Sequence, residues 1–171
     1  FRKEIDLIDK EIIDLISRRG TLAKQVGLTK DDGVIYRPER EAQILAALKK
    51  YNKGPLKSES IVNIFKAIIS NCRALEKKLS IAFLGPLGTF SEEATRQHFG
   101  DNIVTLPTDS IDEIFSHVQS DISHYGVVPV ENSTEGAVSR TLDLLLLREL
   151  KICGEISLPV HHCFISKSKV N

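Results

Sequence analysis

From residue 2 to residue 30 one interval recurs, three or four residues, through Arg2, Ile5, Ile8, Ile12, Leu15, Arg19, Leu22, Val26 and Lys30. That spacing is the period of one helix face and predicts a single long helix with a continuous core-facing stripe. Charge is threaded through what should be an oily seam. A later helix repeats the pattern with Ile61, Phe65, Ile68, Cys72, Glu76 and Leu79, and Glu41 precedes Leu45 and Leu48 on a shorter one. An isolated buried charge is very costly, so these residues need partners or a ligand. Cations outnumber carboxylates on the first stripe, which points to a bound anion.

Taken singly, each residue also fits an interhelical salt bridge, or a side chain that snorkels to water from a bundle end, as Arg2 and Lys30 are placed to do. Arg19 has apolar turns on both sides. Several polar residues converging on one Ile/Leu seam predict a polar pocket for a small anionic molecule inside a helical bundle. Arg2 and Arg19 lie about 25 Å apart along a continuous helix, too far to grip one small ligand together. Arg19 and Lys30, at roughly 16 Å, can reach it from either side. If Arg2 serves the same ligand, a second copy of the chain supplies it. A helix of about 43 Å is also longer than a compact domain of about 80 residues needs, so an interlocked all-helical dimer with shared sites is expected.

The rhythm changes near Lys77-Lys78-Leu79-Ser80. Before it, helices are expected from Arg2 to about Lys30, from Pro38 to about Tyr51, and from Ser58 or Ser60 to about Leu79. Beyond it the order is strand, turn, helix: a buried strand Ile81–Leu84, a tight loop Gly85-Pro86-Leu87-Gly88, and a capping box Thr89-Phe90-Ser91-Glu92 that opens a helix. Further strands are expected at Ile103–Leu106, Tyr125–Val130, Ile152–Leu158 and His161–Ile165, with helices near Ile111–Gln119 and Val138–Leu147. The chain thus reads as multidomain, all-α over residues 1–79 and α/β over 80–171.

Lys+Arg and Asp+Glu balance at 23 each, which gives no footing to a nucleic-acid or anionic-membrane partner. The longest aliphatic run, Leu142 to Leu147, is broken by Asp143 and is far too short to span a bilayer. Three scattered cysteines, Cys72, Cys153 and Cys163, suit a reducing cytoplasm better than a disulfide framework. The chain begins at Phe1 and contains no Met, so it reads as a piece of a longer protein.

Residues 1–79 resemble the all-helical type of chorismate mutase at Arg2, Arg19, Val26-Gly27, Lys30 and Arg40-Glu41. Residues 81–171 resemble the start of prephenate dehydratase through Gly85-Pro86-Leu87-Gly88-Thr89-Phe90-Ser91, Gly126-Val127-Val128-Pro129-Val130-Glu131-Asn132-Ser133 and Gly154-Glu155. Together they resemble the bacterial bifunctional chorismate mutase/prephenate dehydratase family. The resemblance implies a three-helix mutase that forms an intertwined dimer, followed by one lobe of a periplasmic-binding-protein-like dehydratase. It implies chorismate and prephenate as substrates and no cofactor.

The chemistry so implied matches the polar seam. Chorismate carries two carboxylates, a hydroxyl and an ether oxygen, and its pericyclic rearrangement needs neither nucleophile nor proton transfer. By the resemblance, Arg19 and the second copy's Arg2 clamp carboxylates, because guanidinium forks fix orientation as well as charge. Lys30 faces the ether oxygen, where negative charge builds, and Glu41 takes the ring hydroxyl. Arg40 flanks the site, and Cys72 stands where a small polar residue helps near a carboxylate. Glu76 falls where the family uses Gln or Glu to donate to the ether oxygen. An ionised carboxylate only accepts, so Glu76 must carry its proton when working.

In the second segment, Gly88 and Thr89 belong to a loop whose N–H groups stand at a helix start, a natural carboxylate site. Glu131, Asn132 and Ser133 follow a strand at the end where open α/β sheets bind ligands, and the resemblance places Glu131 and Asn132 in the dehydratase cleft. The family's Thr-Arg-Phe motif is absent from these residues, as is its phenylalanine-sensing module. His161-His162-Cys163 suggests metal at first sight, yet neighbours on a strand face opposite ways, and no metal is expected. Arg37 departs from an acidic residue that some mutases use near the substrate hydroxyl. The rival reading is a non-catalytic dimeric sensor of a small acid, built from a helical dimerisation module and a binding lobe.

Overall fold

The structure is a computed structural model and describes residues 1–29, 36–133, 136–161 and 166–167. Three helices come first: α1 (Arg2–Leu28), α2 (Pro38–Tyr51) and α3 (Ser58–Arg73). Pro38 opens α2 with its fixed φ, and the helix carries Glu39 and Glu41 in the first turn and Lys49 and Lys50 in the last, which complements the dipole. α3 packs against both α2 and α1. It stops at Arg73 rather than Leu79. Leu75 N–H bonds to Cys72 O and Glu76 N–H to Arg73 O, so the last turn tightens to three-residue closure. Glu76 therefore projects from this turn and not from the helix body.

The face that α1 turns to α3 is not the expected stripe. It is a run of small residues on the next face, Gly20, Ala23 and Gly27, whose exposure ranges from buried to half-buried. A Cβ on Gly20 would lie 3.1 Å from Leu75 Cδ1 and 3.9 Å from Cys72 Sγ; one on Gly27 would lie 2.7 Å from Glu76 Cγ. The expected stripe stays uncovered within one chain: Ile5, Ile8, Ile12, Leu15, Leu22 and Val26 are all exposed, Leu15 to 65%. Large apolar groups in such a row mark an interaction surface.

The second half builds a three-stranded parallel sheet in the order β2-β1-β3, from β1 (Ser80–Leu84), β2 (Val104–Thr108) and β3 (Tyr125–Val127). β1 is central, and Ile81, Ala82 and Phe83 are all buried, the continuous apolar run that a strand covered on both faces requires. α4 (Phe90–Phe99) and α5 (Ile111–Gln119) make the crossovers and pack on β1. Both open with the same device: Thr89 and Ser110 side chains accept from the Glu92 and Glu113 amides, at 3.4 and 3.2 Å. In each case the Glu reaches one residue further back than a standard box, to Gly88 N–H at 2.7 Å and Asp109 N–H at 3.0 Å.

Strand limits follow proline. Val104 N–H donates to Leu79 O and Thr108 O accepts from Gly85 N–H, the residues on either side of β1, so by alternation Pro107 turns its nitrogen to the outer edge, where no donor is missed. β3 ends at Val127, short of the expected Val130, just before Pro129. A two-stranded antiparallel pair, β4 (Glu131–Asn132) with β5 (Gly136–Ala137), follows, and then α6 (Ser139–Leu147), tied to α5 by the Arg140–Asp112 ion pair. The strand expected at Ile152–Leu158 does not form. That segment runs without regular structure, and Gly154 passes over the His98 ring instead, where a Cβ would lie 3.3 Å from Cε1. Of the strand expected at His161–Ile165, residues 162–165 lie outside the described residues.

The halves share one core. Tyr36, just before α2, is buried with Leu79, Ile81 and Phe99, and Ile103, Tyr125 and Val127 pack on that cluster. At its rim Gly100, with φ +83°, ends α4 so close to α3 that a Cβ would lie 2.2 Å from Ser70 Oγ. Only glycine accepts both that backbone and that distance.

Candidate functional site

Two regions gather the candidate residues. In the helical half, Arg19 is half-buried on α1, next to Gly20, which rests on Cys72 and Leu75. Cys72 is buried on the last turn of α3, and the half-buried Glu76 presents its carboxyl to Gly27, about two helix turns beyond Arg19. The close approach of α1 to the end of α3 thus brings Cys72 and Glu76 against the Gly20 and Gly27 face of α1, with Arg19 next to Gly20 in the chain. Glu41 is half-buried in the first turn of α2, and Oε1 of its carboxylate accepts from Arg73 Nη1. Arg40 beside it is exposed. Arg2 begins α1 at the far end, exposed, and the structure does not bring it to Arg19 within one chain. Lys30 lies outside the described residues.

Behind this seam sits a group that the periodicity did not single out. Arg73, 7% exposed, meets Glu41, the Phe99 carbonyl and the Tyr36 ring, whose centroid is 4.9 Å from the guanidinium carbon. Tyr36 OH shares a 2.9 Å hydrogen bond with His98 Nε2. Burial, reinforced by the Glu41 charge, pushes the Tyr36 phenol up to about 12, and Tyr125 moves up chiefly for the same reason, burial. His98 moves down, first through burial and then through the positive charges of Lys66 and Arg73. Arg73 directly follows Cys72, at the C-terminal end of α3.

The second region lies at the carboxyl edge of the sheet. β1 and β3 are adjacent and parallel, so the loop after β1, with Gly88 and Thr89, and the segment after β3, with Glu131, Asn132 and Ser133, emerge at the same edge. The chain's path divides there, with β2 on one side of β1 and β3 on the other, which is where open α/β sheets place their ligands. Glu131, Asn132 and Ser133 are exposed there. Gly88 has φ +82°, and its N–H is donated to Glu92. One amide of this loop is therefore engaged by a carboxylate of the chain itself. That amide first, and Arg96 second, hold the Glu92 carboxyl below its usual range. Thr89 Oγ1 lies 3.2 Å from Leu84 O and 3.1 Å from Pro86 O. His161 is exposed, while His162 and Cys163 lie outside the described residues.

Residues 81–171 match the prephenate dehydratase family model. The chain belongs to the prephenate dehydratase family. Ahead of this dehydratase segment, residues 1–77 match the chorismate mutase type II model, so the boundary between matches falls where helices give way to β1. Bifunctional chorismate mutase/prephenate dehydratases are similar along nearly the whole chain. That of Stutzerimonas stutzeri is 46% identical over 94% of this chain, that of Neisseria gonorrhoeae 45% over 98%, and that of Escherichia coli 31% over 96%. The chain spans about half the length of these relatives, 46%, 46% and 47% respectively. The dehydratase segment's parallel sheet and the helical segment before it agree with that order of domains.

His98 at the junction of the two segments yields a pH dependence. Its folded-state affinity for a proton is lower than in the unfolded chain, so the unfolded chain protonates first on acidification. The stability that neutral His98 contributes is present above the ordinary imidazole value of about 6.5 and is lost as pH falls through the lower folded value. Thermal unfolding should show His98→Gln losing less stability than wild type between about pH 7.5 and about pH 5.5.

Proposed function

We propose that this chain converts chorismate to prephenate in its helical segment and supplies one lobe of the site that converts prephenate to phenylpyruvate, water and CO2, two steps toward phenylalanine. The observation that carries the reading is the pair of family matches, mutase then dehydratase, laid over a helical half and an α/β half that meet near residue 80. The division falls between residues 79 and 80, and the dehydratase lobe is of the periplasmic-binding-protein type. A cytoplasmic location accords with the scattered cysteines, and none of the described helices is long and apolar enough to cross a membrane.

The helical segment works as an intertwined homodimer. Support comes from the uncovered apolar stripe of α1 and from its 27 residues, about 40 Å, which carry Arg2 beyond reach of its own Arg19. Each site takes Arg19, Lys30, Arg40, Glu41, Cys72 and Glu76 from one chain and Arg2 from the other. Arg19 and Arg2 clamp the substrate carboxylates and hold the compact, reactive conformer. Lys30 and Glu76 address the ether oxygen as its bond to carbon breaks, and Glu41 accepts from the ring hydroxyl. In the dehydratase lobe, Gly88, Thr89, Glu131, Asn132 and Ser133 border prephenate at the sheet edge. Departure of hydroxide there needs an acid or a strong hydrogen-bond donor.

Incubation of the chain with chorismate, with prephenate and phenylpyruvate trapped separately, should give prephenate. Arg19→Ala should lower kcat/KM by about 100-fold or more while circular dichroism stays unchanged; a folded wild type that leaves chorismate untouched would favour the sensor. Mixing inactive Arg2→Ala and Arg19→Ala chains should restore about one quarter of wild-type activity, because half of the dimers are mixed and each holds one intact site. Unrestored mixtures would sink the shared site. Because Glu76 must donate, Glu76→Gln, whose amide always donates, should keep mutase activity, and a folded Glu76→Gln chain without turnover would remove that role from position 76.

A further inference from the structure

Arg73 joins the two segments through a single side chain. Nη1 donates to Glu41 Oε1 in the first turn of α2, and Nη2 donates to the carbonyl of Phe99, the last residue of α4. That carbonyl is one of those a helix leaves without an internal partner, and Ser70 Oγ gives it a second bond at 3.1 Å. The anchor is rigid on both sides. Gly100 ends α4 so close to α3 that a Cβ there would lie 2.2 Å from Ser70 Oγ, and the Tyr36 ring lies against the guanidinium, 4.9 Å from its centroid to the guanidinium carbon. A planar fork suits two acceptors in fixed directions, which a lysine ammonium does not.

We propose that Arg73 is a positioning residue of the mutase: from its anchor on the dehydratase segment it sets the direction of the Glu41 carboxylate, so that chorismate turnover depends on how that segment is seated. The inference rests on the assignment of Glu41 to the substrate hydroxyl. With Oε1 held by Arg73, the plane of the carboxylate is fixed and Oε2 is aimed by it. Release of Oε1 frees the side chain to rotate, and a misplacement of about 1 Å at a positioning group costs on the order of 100-fold in rate.

The test is chorismate kinetics on the whole chain for Arg73→Gln, Arg73→Lys, Glu41→Gln and Gly100→Ala, singly and with Glu41→Gln, with kcat/KM normalised to the folded fraction from circular dichroism. Arg73→Gln should lower kcat/KM by about 10- to 100-fold, and Arg73→Lys, which keeps the charge but loses the fork, should do nearly the same. In the Glu41→Gln background either change should cost less than about twofold, because the group being positioned is gone. Gly100→Ala, which pushes the anchor away without touching Arg73 or Glu41, should repeat the pattern. A purely structural arginine would lower activity equally in both backgrounds. Additive losses, or wild-type kcat/KM in both Arg73 variants, would overturn the proposal while the mutase reading stands. A folded wild type without chorismate turnover would overturn that reading and this one together.

Discussion

Burial of Tyr36 among Leu79, Ile81 and Phe99 is the contact on which the remaining arrangement hangs. The residue belongs to the helical segment, whereas its neighbours open and flank the sheet, so neither segment completes this core alone. An aromatic ring brings a large apolar area, and its hydroxyl needs a partner in the interior, which His98 provides. Packing of Phe99 and Tyr125 against the same ring, with centroids 5.2 and 5.6 Å away, fixes α4 and β3 relative to the start of α2. Once those are fixed, Arg73 has no route to water and must find its acceptors inside.

Within the helical segment a different economy of space operates. Gly20 and Gly27 let α1 lie against the end of α3 with no side chain between, which draws Cys72 and Glu76 close to its backbone. The apolar stripe on the neighbouring face is left exposed within one chain. A helix with one narrow, small-residue face toward its own domain and one broad, aliphatic face toward a partner can serve two packing surfaces without conflict, because the faces are separated in angle about the axis.

Much of this was legible in the residues. Periodicity located α1, α2, α5 and the start of α3, and the buried run Ile81–Phe83 located the central strand. The stripe containing Arg19 was visible, but spacing alone does not say whether its partner is the same chain or another, so its exposure within one chain could not be read from the pattern. The end of α3 was overrun by six residues because Ala74 to Leu79 keep helical character, and the bonds that tighten the turn depend on tertiary contact. A strand was expected at Ile152–Leu158, where no strand among the described residues pairs with it. The second Ser-x-x-Glu opening, Ser110 to Glu113, carried the same signal as Thr89 to Glu92 and was equally readable. Arg73 was the site residue missed, because its acceptor on Phe99 is distant in sequence and is a backbone atom, which no side-chain pattern encodes.

Among the described residues β2 and β3 are the outer strands of the sheet, and each is a poor template for recruiting another chain. β3 offers only three residues, about 10 Å of ladder, and on β2 the proline nitrogen faces outward, so a strand arriving there finds a gap in the row of donors. Edge-to-edge growth from either strand, which has no natural end, is thereby disfavoured.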